Sequence, residues 1–208
     1  ALAAGNARVA RWPVKYAVVG DAGVGKTFLL YRFFARRYPA QARPRAPDKY
    51  PLKVRLGDAE VQAHVWDSDG GAAHSKLRSL AYIDTHVFVL CYSVADPASY
   101  DHIRTVWLPE IRQRRRNMPL VLVATKTDLR ADPATLAQLE AEGKQPLTSQ
   151  DGERLRAAIG AVCYREVSAR TGEGVEEAFS RIVRIGLAPP PRRRALCLPP
   201  AAAHCAVM

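Results

Sequence analysis

The sequence predicts an α/β domain whose mostly parallel sheet is covered by helices on both faces. Three observations lead there. Short apolar runs that suit buried strands alternate with helix-length patterns. One strand-to-helix junction carries the phosphate-binding pattern G-x-x-x-x-G-K-[ST]. Hydrophobic residues make up 48% of 208, enough to fill the core of one domain.

The first strand is expected at 16–19, and an apolar helix at 28–34 follows it. Between them lie Gly20, Asp21, Ala22, Gly23, Val24, Gly25, Lys26 and Thr27. Glycines at these spacings let successive N–H groups turn inward around phosphate oxygens, at the positive end of the helix dipole. Lys26 then reaches the β- and γ-phosphates, and the Thr27 hydroxyl takes one Mg²⁺ position. Further strands are expected at 61–66, 87–92, 120–124 and 162–164, and helices at 99–115, Ser149–Ile159 and Val175–Leu187. Helices between strands imply right-handed crossovers, which place ligands at the carboxyl ends of the strands.

Charge and cysteine content narrow the function. No run of 18 apolar residues appears, so no membrane span is expected. Residues 1–13 read as a flexible extension, and they lack the apolar segment of a secretory signal. The four cysteines at 91, 163, 197 and 205 have neither metal-ligand spacing nor disulfide density, which points to a reducing compartment. The net charge of +11 gathers at Arg43 and Arg45, at Arg112 to Arg116, and at Arg192 to Arg194. No zinc-knuckle spacing or aromatic RNA-binding signature accompanies these clusters, so nucleic acid is not an expected partner. Arginines ending a helix also suit its dipole, and a solvated helix end is the plainer reading of the second cluster.

Thr125-Lys126-Thr127-Asp128 follows the fourth strand, and Ser168-Ala169-Arg170 follows the last. A carboxylate such as Asp128 can accept from both N1–H and the exocyclic amine of guanine, a pair that adenine does not offer. With these motifs in this order, the chain resembles the Ras superfamily of small GTPases, and its Rho branch in particular. Cys91-Tyr92-Ser93-Val94, Trp107-Leu108-Pro109-Glu110-Ile111 and a threonine opening the Thr125 motif carry the branch-level likeness.

The resemblance implies a six-stranded GTPase domain over 14–188, with a Rho-type helical insert at about 132–146 and a basic tail at 189–208. It implies binding of GTP or GDP with Mg²⁺. Contacts would come from residues 21–27, Phe28, Tyr38, Gly70, Thr125, Lys126, Asp128, Leu129, Ser168, Ala169 and Arg170, and Mg²⁺ would be held by Thr27 and Asp67. By the same likeness the Lys126 stem lies along the base, Tyr38 stands near its other edge, and the Ala169 backbone meets its carbonyl. Rho-type regulators and effectors, and roles in actin organisation and cell shape, come with it.

The hydrolytic machinery departs from the family pattern. Asp67-Ser68-Asp69-Gly70 keeps D-x-x-G, but Gly71 stands where the family has the glutamine that positions the attacking water. Arg45 falls at the switch I threonine position, where it cannot ligate a cation but can pair with phosphate. Ala22 replaces a glycine that lets the loop approach the catalytic centre, and Asp69 sets a carboxylate beside the γ-phosphate. Three accounts stay open: a GTP-bound protein that scarcely hydrolyses, a nucleotide-indifferent scaffold, and a slow hydrolase in which the uniform spacing that puts Arg45 at the switch I threonine position does not hold. The loop 39–51, with four prolines and several basic residues, predicts weak or nucleotide-independent binding of usual Rho effectors.

Cys205-Ala206-Val207-Met208 reads as a C-a-a-X box favouring farnesylation. One lipid anchors weakly, so Arg192 to Arg194, and palmitoylation or not of Cys197, bear on a second signal. The expected location is the cytoplasmic face of the plasma membrane or endomembranes, with a cytosolic pool.

Overall fold

The computed structural model describes residues 13–39, 49–56, 59–68, 70–71, 78 and 81–188. The alternation in the sequence closes into one six-stranded sheet, ordered β2-β3-β1-β4-β5-β6. The strands are β1 (Val14–Val19), β2 (Lys49–Leu56), β3 (Ala59–Asp67), β4 (Val87–Ser93), β5 (Leu120–Thr125) and β6 (Cys163–Glu166). All neighbours pair in parallel except β2 with β3. The expected loop 39–51 is therefore shorter at its end, because Lys49, Tyr50 and Pro51 already pair with Trp66, Val65 and His64. Pro51 is tolerated because β2 is an edge strand.

The period of two along β1, β4 and β5 explains why these runs look continuously apolar. Tyr16, Val18, Val89, Cys91, Val121 and Val123 pack on one face, against α1 (Lys26–Ala35) and α6 (Val175–Leu187). Ala17, Val19, Phe88, Leu90, Tyr92 and Leu122 pack on the other, with Trp107, Ile111, Leu155 and Ile159. A strand buried on both faces leaves no polar alternation to read. The ring of Phe33 on α1 stacks on Phe179 of α6 with centroids 3.9 Å apart, which fixes α1, and the loop ahead of it, over the sheet.

The helix expected at 99–115 is a composite rod: α2 (Pro97–His102), a π-helical turn (Ile103–Trp107) and α3 (Leu108–Arg114). It starts earlier than expected because Asp96 caps it, accepting from Ser99 N, with Pro97 in the first turn. Pro109 has no N–H for the Thr105 carbonyl and its ring clashes there in an α-helix; the π turn relieves both. Helix α4 (Pro133–Ala141) lies within the 132–146 segment, capped by Asp132, and α5 (Ser149–Ile159) opens with a Thr148/Asp151 capping box. Val162 falls outside β6, and is exposed. Among the described residues no helix is long and apolar enough to cross a membrane.

Candidate nucleotide site

The loop between β1 and α1 owes its shape to three glycines. Gly20, Gly23 and Gly25 take φ of 144°, 80° and 99°. A Cβ on Gly20 would stand 2.2 Å from the Cys91 carbonyl oxygen, so the loop can leave the sheet only through glycine. Gly25 caps α1 and directs the open N–H end of that ten-residue helix at the loop. Lys26 is only 6% exposed, and its Nζ donates to the carbonyls of Gly20 and Asp21, both at 2.7 Å. Those bonds arch the loop over a buried cation, which is what a polyphosphate cradle requires.

Thr27 and Asp67 meet although 40 residues separate them, the Thr27 hydroxyl donating to Asp67 Oδ2 at 2.5 Å. Parallel pairing of Val18 with Asp67 puts the end of β3 beside the loop. A hydroxyl and a carboxylate are hard oxygen donors, and Mg²⁺ commonly takes only one or two such protein ligands alongside substrate phosphates. Gly70 rests directly on the loop, where a Cβ would lie 2.3 Å from Ala22 N. Gly71 accepts from Arg78 Nη1 through its carbonyl at 2.9 Å.

At the other end, Thr125 Oγ1 donates to the carbonyls of Val24 and Tyr92, at 2.5 and 2.9 Å, tying β5 to the glycine-rich loop. Lys126 adopts a left-handed φ of 59°, and its stem reaches Gly25, whose Cβ would lie 3.8 Å from Lys126 Cε. Burial lowers the Lys126 pKa against the opposing pull of Asp96 and Asp128. The Ser168 hydroxyl donates to Asp128 Oδ1 at 2.6 Å and accepts from Thr171 N at 3.1 Å. One carboxylate oxygen is thus oriented, and among the described residues no hydrogen bond takes the other. Ala169 and Leu129 are half-buried beside it, and Arg170 is exposed. Phe28 and Tyr38 pair with ring centroids 5.4 Å apart, Tyr38 being 44% exposed. The sequence-predicted residues 21–28, 38, 67, 70, 125, 126, 128, 129 and 168–170 therefore collect at the carboxyl ends of β1, β3, β5 and β6. Arg45, Asp69, Arg192 to Arg194, Cys197, Cys205 and the 1–12 stretch lie outside the described residues.

Two residues that sequence reasoning did not connect to the site hold the loop from behind. Trp107 Nε1 donates to Asp21 Oδ1 at 2.6 Å, and His102 Nδ1 lies 2.5 Å from Asp21 Oδ2. In an α-helix five residues run about 1.4 turns, whereas the π turn brings positions five apart back to roughly one side. The rod's irregular turn is thus what lets both side chains reach one carboxylate. Arg78 continues the chain of contacts: it lies over the Trp107 ring, 4.7 Å from its centroid, and holds Glu110 through Nε and Nη2, both at 2.9 Å. Burial raises the Glu110 pKa, but its bonds from Arg78 and Tyr82 outweigh that and leave it lowered. Sequence separations of 81 and 86 residues hid these links, although Trp107 and Glu110 both stand in a recognisable motif.

A glycine-built phosphate cradle on a parallel sheet, with a hydroxyl–carboxylate pair at one end and an oriented aspartate at the other, defines a P-loop nucleotide-binding protein. Residues 15–187 match the family model described as "Ras family". The chain is 36% identical over 184 residues to the Rho-related protein racC of Entamoeba histolytica, covering 88% of this chain and 95% of that one. It is 38% identical over 173 residues to the GTP-binding protein RHO1 of Saccharomyces cerevisiae, covering 83% of each. The chain belongs to the Ras family of small GTPases, in its Rho branch.

Proposed function

We propose that this chain binds GTP with Mg²⁺, hydrolyses it slowly or not at all, and signals from the cytoplasmic face of a membrane. The observation that carries the reading is Gly71: the residue after D-x-x-G has no side chain to orient water, and its carbonyl is engaged by Arg78. The residues that would hold nucleotide support the binding part of this reading. Lys26 and the loop amides cradle phosphate, Thr27 and Asp67 supply Mg²⁺ oxygens, and Asp128 with Ser168 behind it accepts from guanine. Phe28, Tyr38 and the Lys126 stem offer apolar surface to the nucleoside. Cys205 would carry a prenyl group, with Arg192 to Arg194 adding about 1 kcal/mol each at an anionic leaflet. Membership of the Rho branch suggests actin organisation and cell shape as the process controlled.

The test is chromatographic identification of the nucleotide that copurifies, followed over time at 25 °C. Persistent GTP is the expected result. Steady appearance of GDP would overturn slow hydrolysis, and a nucleotide-free protein that refuses added GTP would replace the switch with a scaffold.

A further inference from the structure

We propose that a pocket lined by Arg112, Arg115 and Arg116, at the pole opposite the nucleotide loops, binds the phosphate of an anionic lipid headgroup. The proposal rests on the membrane-facing reading above.

The pocket encloses about 390 Å³ between the end of α3, the start of β5 and the turn from α5 into β6. Its basic wall arises where α3 ends, Arg112 lying in the last helical turn and Arg115 and Arg116 in the chain that turns away from it. The plain explanation, compensation of the helix dipole, is too small. A helix C-terminus carries about half a negative charge, whereas Arg112, Arg114, Arg115 and Arg116 bring four positive ones. Ion pairs recorded among the described residues do not include any of these four. Neighbouring carboxylates have closer partners than the pocket arginines 112, 115 and 116: Glu110 holds Arg78 and also feels Arg114, Glu153 holds Arg156, and Asp84 lies in the field of Lys15 and His86.

What the arginines do contact is neutral. Arg112 Nη2 donates to the Ile159 carbonyl and Arg115 Nη2 to the Thr85 carbonyl, each at 3.2 Å. Carbonyl dipoles orient a guanidinium without cancelling its charge. Arg115 Nε is buried with no hydrogen-bond partner, and the same guanidinium depresses the His86 pKa beyond the effect of burial. A preoriented cluster of uncompensated guanidinium forks is suited to phosphate.

Two features favour a lipid over a free anion or a nucleic acid. The lining mixes the cations with apolar surface, Met118, Ile159 and Val162, of which Val162 is 51% exposed; it contains no aromatic ring for base stacking. The chain also leaves the domain at this pole. Helix α6 returns to the start of β1, where Tyr16 donates to the Val183 carbonyl at 2.9 Å and Gly186 packs against the Tyr16 ring. The segment bearing Arg192 to Arg194 and Cys205 continues from there. A lipid anchored through that segment would bring the arginine pocket to the bilayer and turn the nucleotide loops away from it.

The test uses the full, unprenylated chain in sedimentation with vesicles of phosphatidylcholine alone, or with phosphatidylserine and phosphatidylinositol bisphosphate added. Binding only to the anionic vesicles is expected. Neutralising both exposed arginines (Arg112→Gln with Arg116→Gln) should lower partitioning about 25-fold, at about fivefold per charge, with bound nucleotide unchanged and the tail intact. Parent-like binding by that variant would overturn the proposal. So would equal binding to phosphatidylcholine, or capture of inorganic phosphate or RNA by a chain that ignores anionic vesicles. Failure of the anchor reading is separately visible: Cys205→Ser would leave cellular membrane localisation intact, which the unprenylated assay does not touch.

Discussion

The indole N–H of Trp107 donates to the carboxylate of Asp21 at 2.6 Å, joining the helical rod to the phosphate loop. His102 engages the other oxygen of the same carboxylate. The loop's backbone is thereby braced through the Asp21 side chain, so its amides can be preorganised before nucleotide arrives. Arg78 lies on the reverse of the same ring and reaches the Gly71 carbonyl, so the residue after D-x-x-G and the loop share one support.

Trp107→Phe keeps an aromatic ring beneath Arg78 and removes the donor together with the second ring of the indole. A hydrogen bond to a charged acceptor contributes about 2 kcal/mol, so melting should fall by about 4–8 °C for a domain of this size. Release of a fluorescent guanine nucleotide should quicken as the loop loosens. A variant with parent-like melting and release would show that the brace is idle.

Asp128→Ala should abolish base choice. Two hydrogen bonds to a carboxylate are removed and Ser168 loses its acceptor, a loss of about 3–6 kcal/mol or 10²- to 10⁴-fold in GTP affinity. ATP affinity should hardly change, since adenine lacks the donor pair. Competition titration with both nucleotides checks this, and retained preference for GTP would remove Asp128 from the site.

Gly71→Gln should raise single-turnover GTP hydrolysis by about tenfold or more, because it restores a group that can hold the attacking water. The carbonyl bond from Gly71 to Arg78 does not involve the side chain, so the substitution leaves it in place. An unchanged rate would place the defect at Ala22, Arg45 or Asp69 instead.

Acid stability should carry the signature of Glu166. Its bidentate bonds from Arg130, at 2.6 and 2.7 Å, outweigh burial and hold the carboxyl at about 2, below its ordinary 4.5. A depressed folded value means that the stabilisation is whole above about 4.5 and is lost as pH falls towards 2. Melting temperature followed from pH 6 to pH 2.5 should decline in that window, and Glu166→Gln should flatten the decline. An identical slope in the variant would assign acid sensitivity to other carboxylates.

Local pattern made much of this molecule legible. Gly20, Gly23 and Gly25 announce a turn that only glycine can take, the runs in β1, β4 and β5 announce strands buried on both faces, and Asp128 and Ser168 stand in recognisable order at strand ends. One misjudged boundary was set by a partner farther along the chain: Lys49 to Pro51 look like loop until β3 pairs with them. The other has a local cause: 99–115 looks like one α-helix, but Asp96 caps it earlier and Pro109 forces its π turn.

The sequence by itself determined the fold class, the phosphate loop, the base-reading motif and the missing side chain at Gly71, because each is written in spacings shorter than a single helix or strand. Only the tertiary structure decided that His102 and Trp107 clasp Asp21, that Arg78 bridges Glu110 and Gly71, and that the arginines ending α3 line a pocket with the start of β5 and the end of α5. Those relationships depend on which elements the sheet order brings side by side, and hydrophobic periodicity records which face of an element is buried without recording against what.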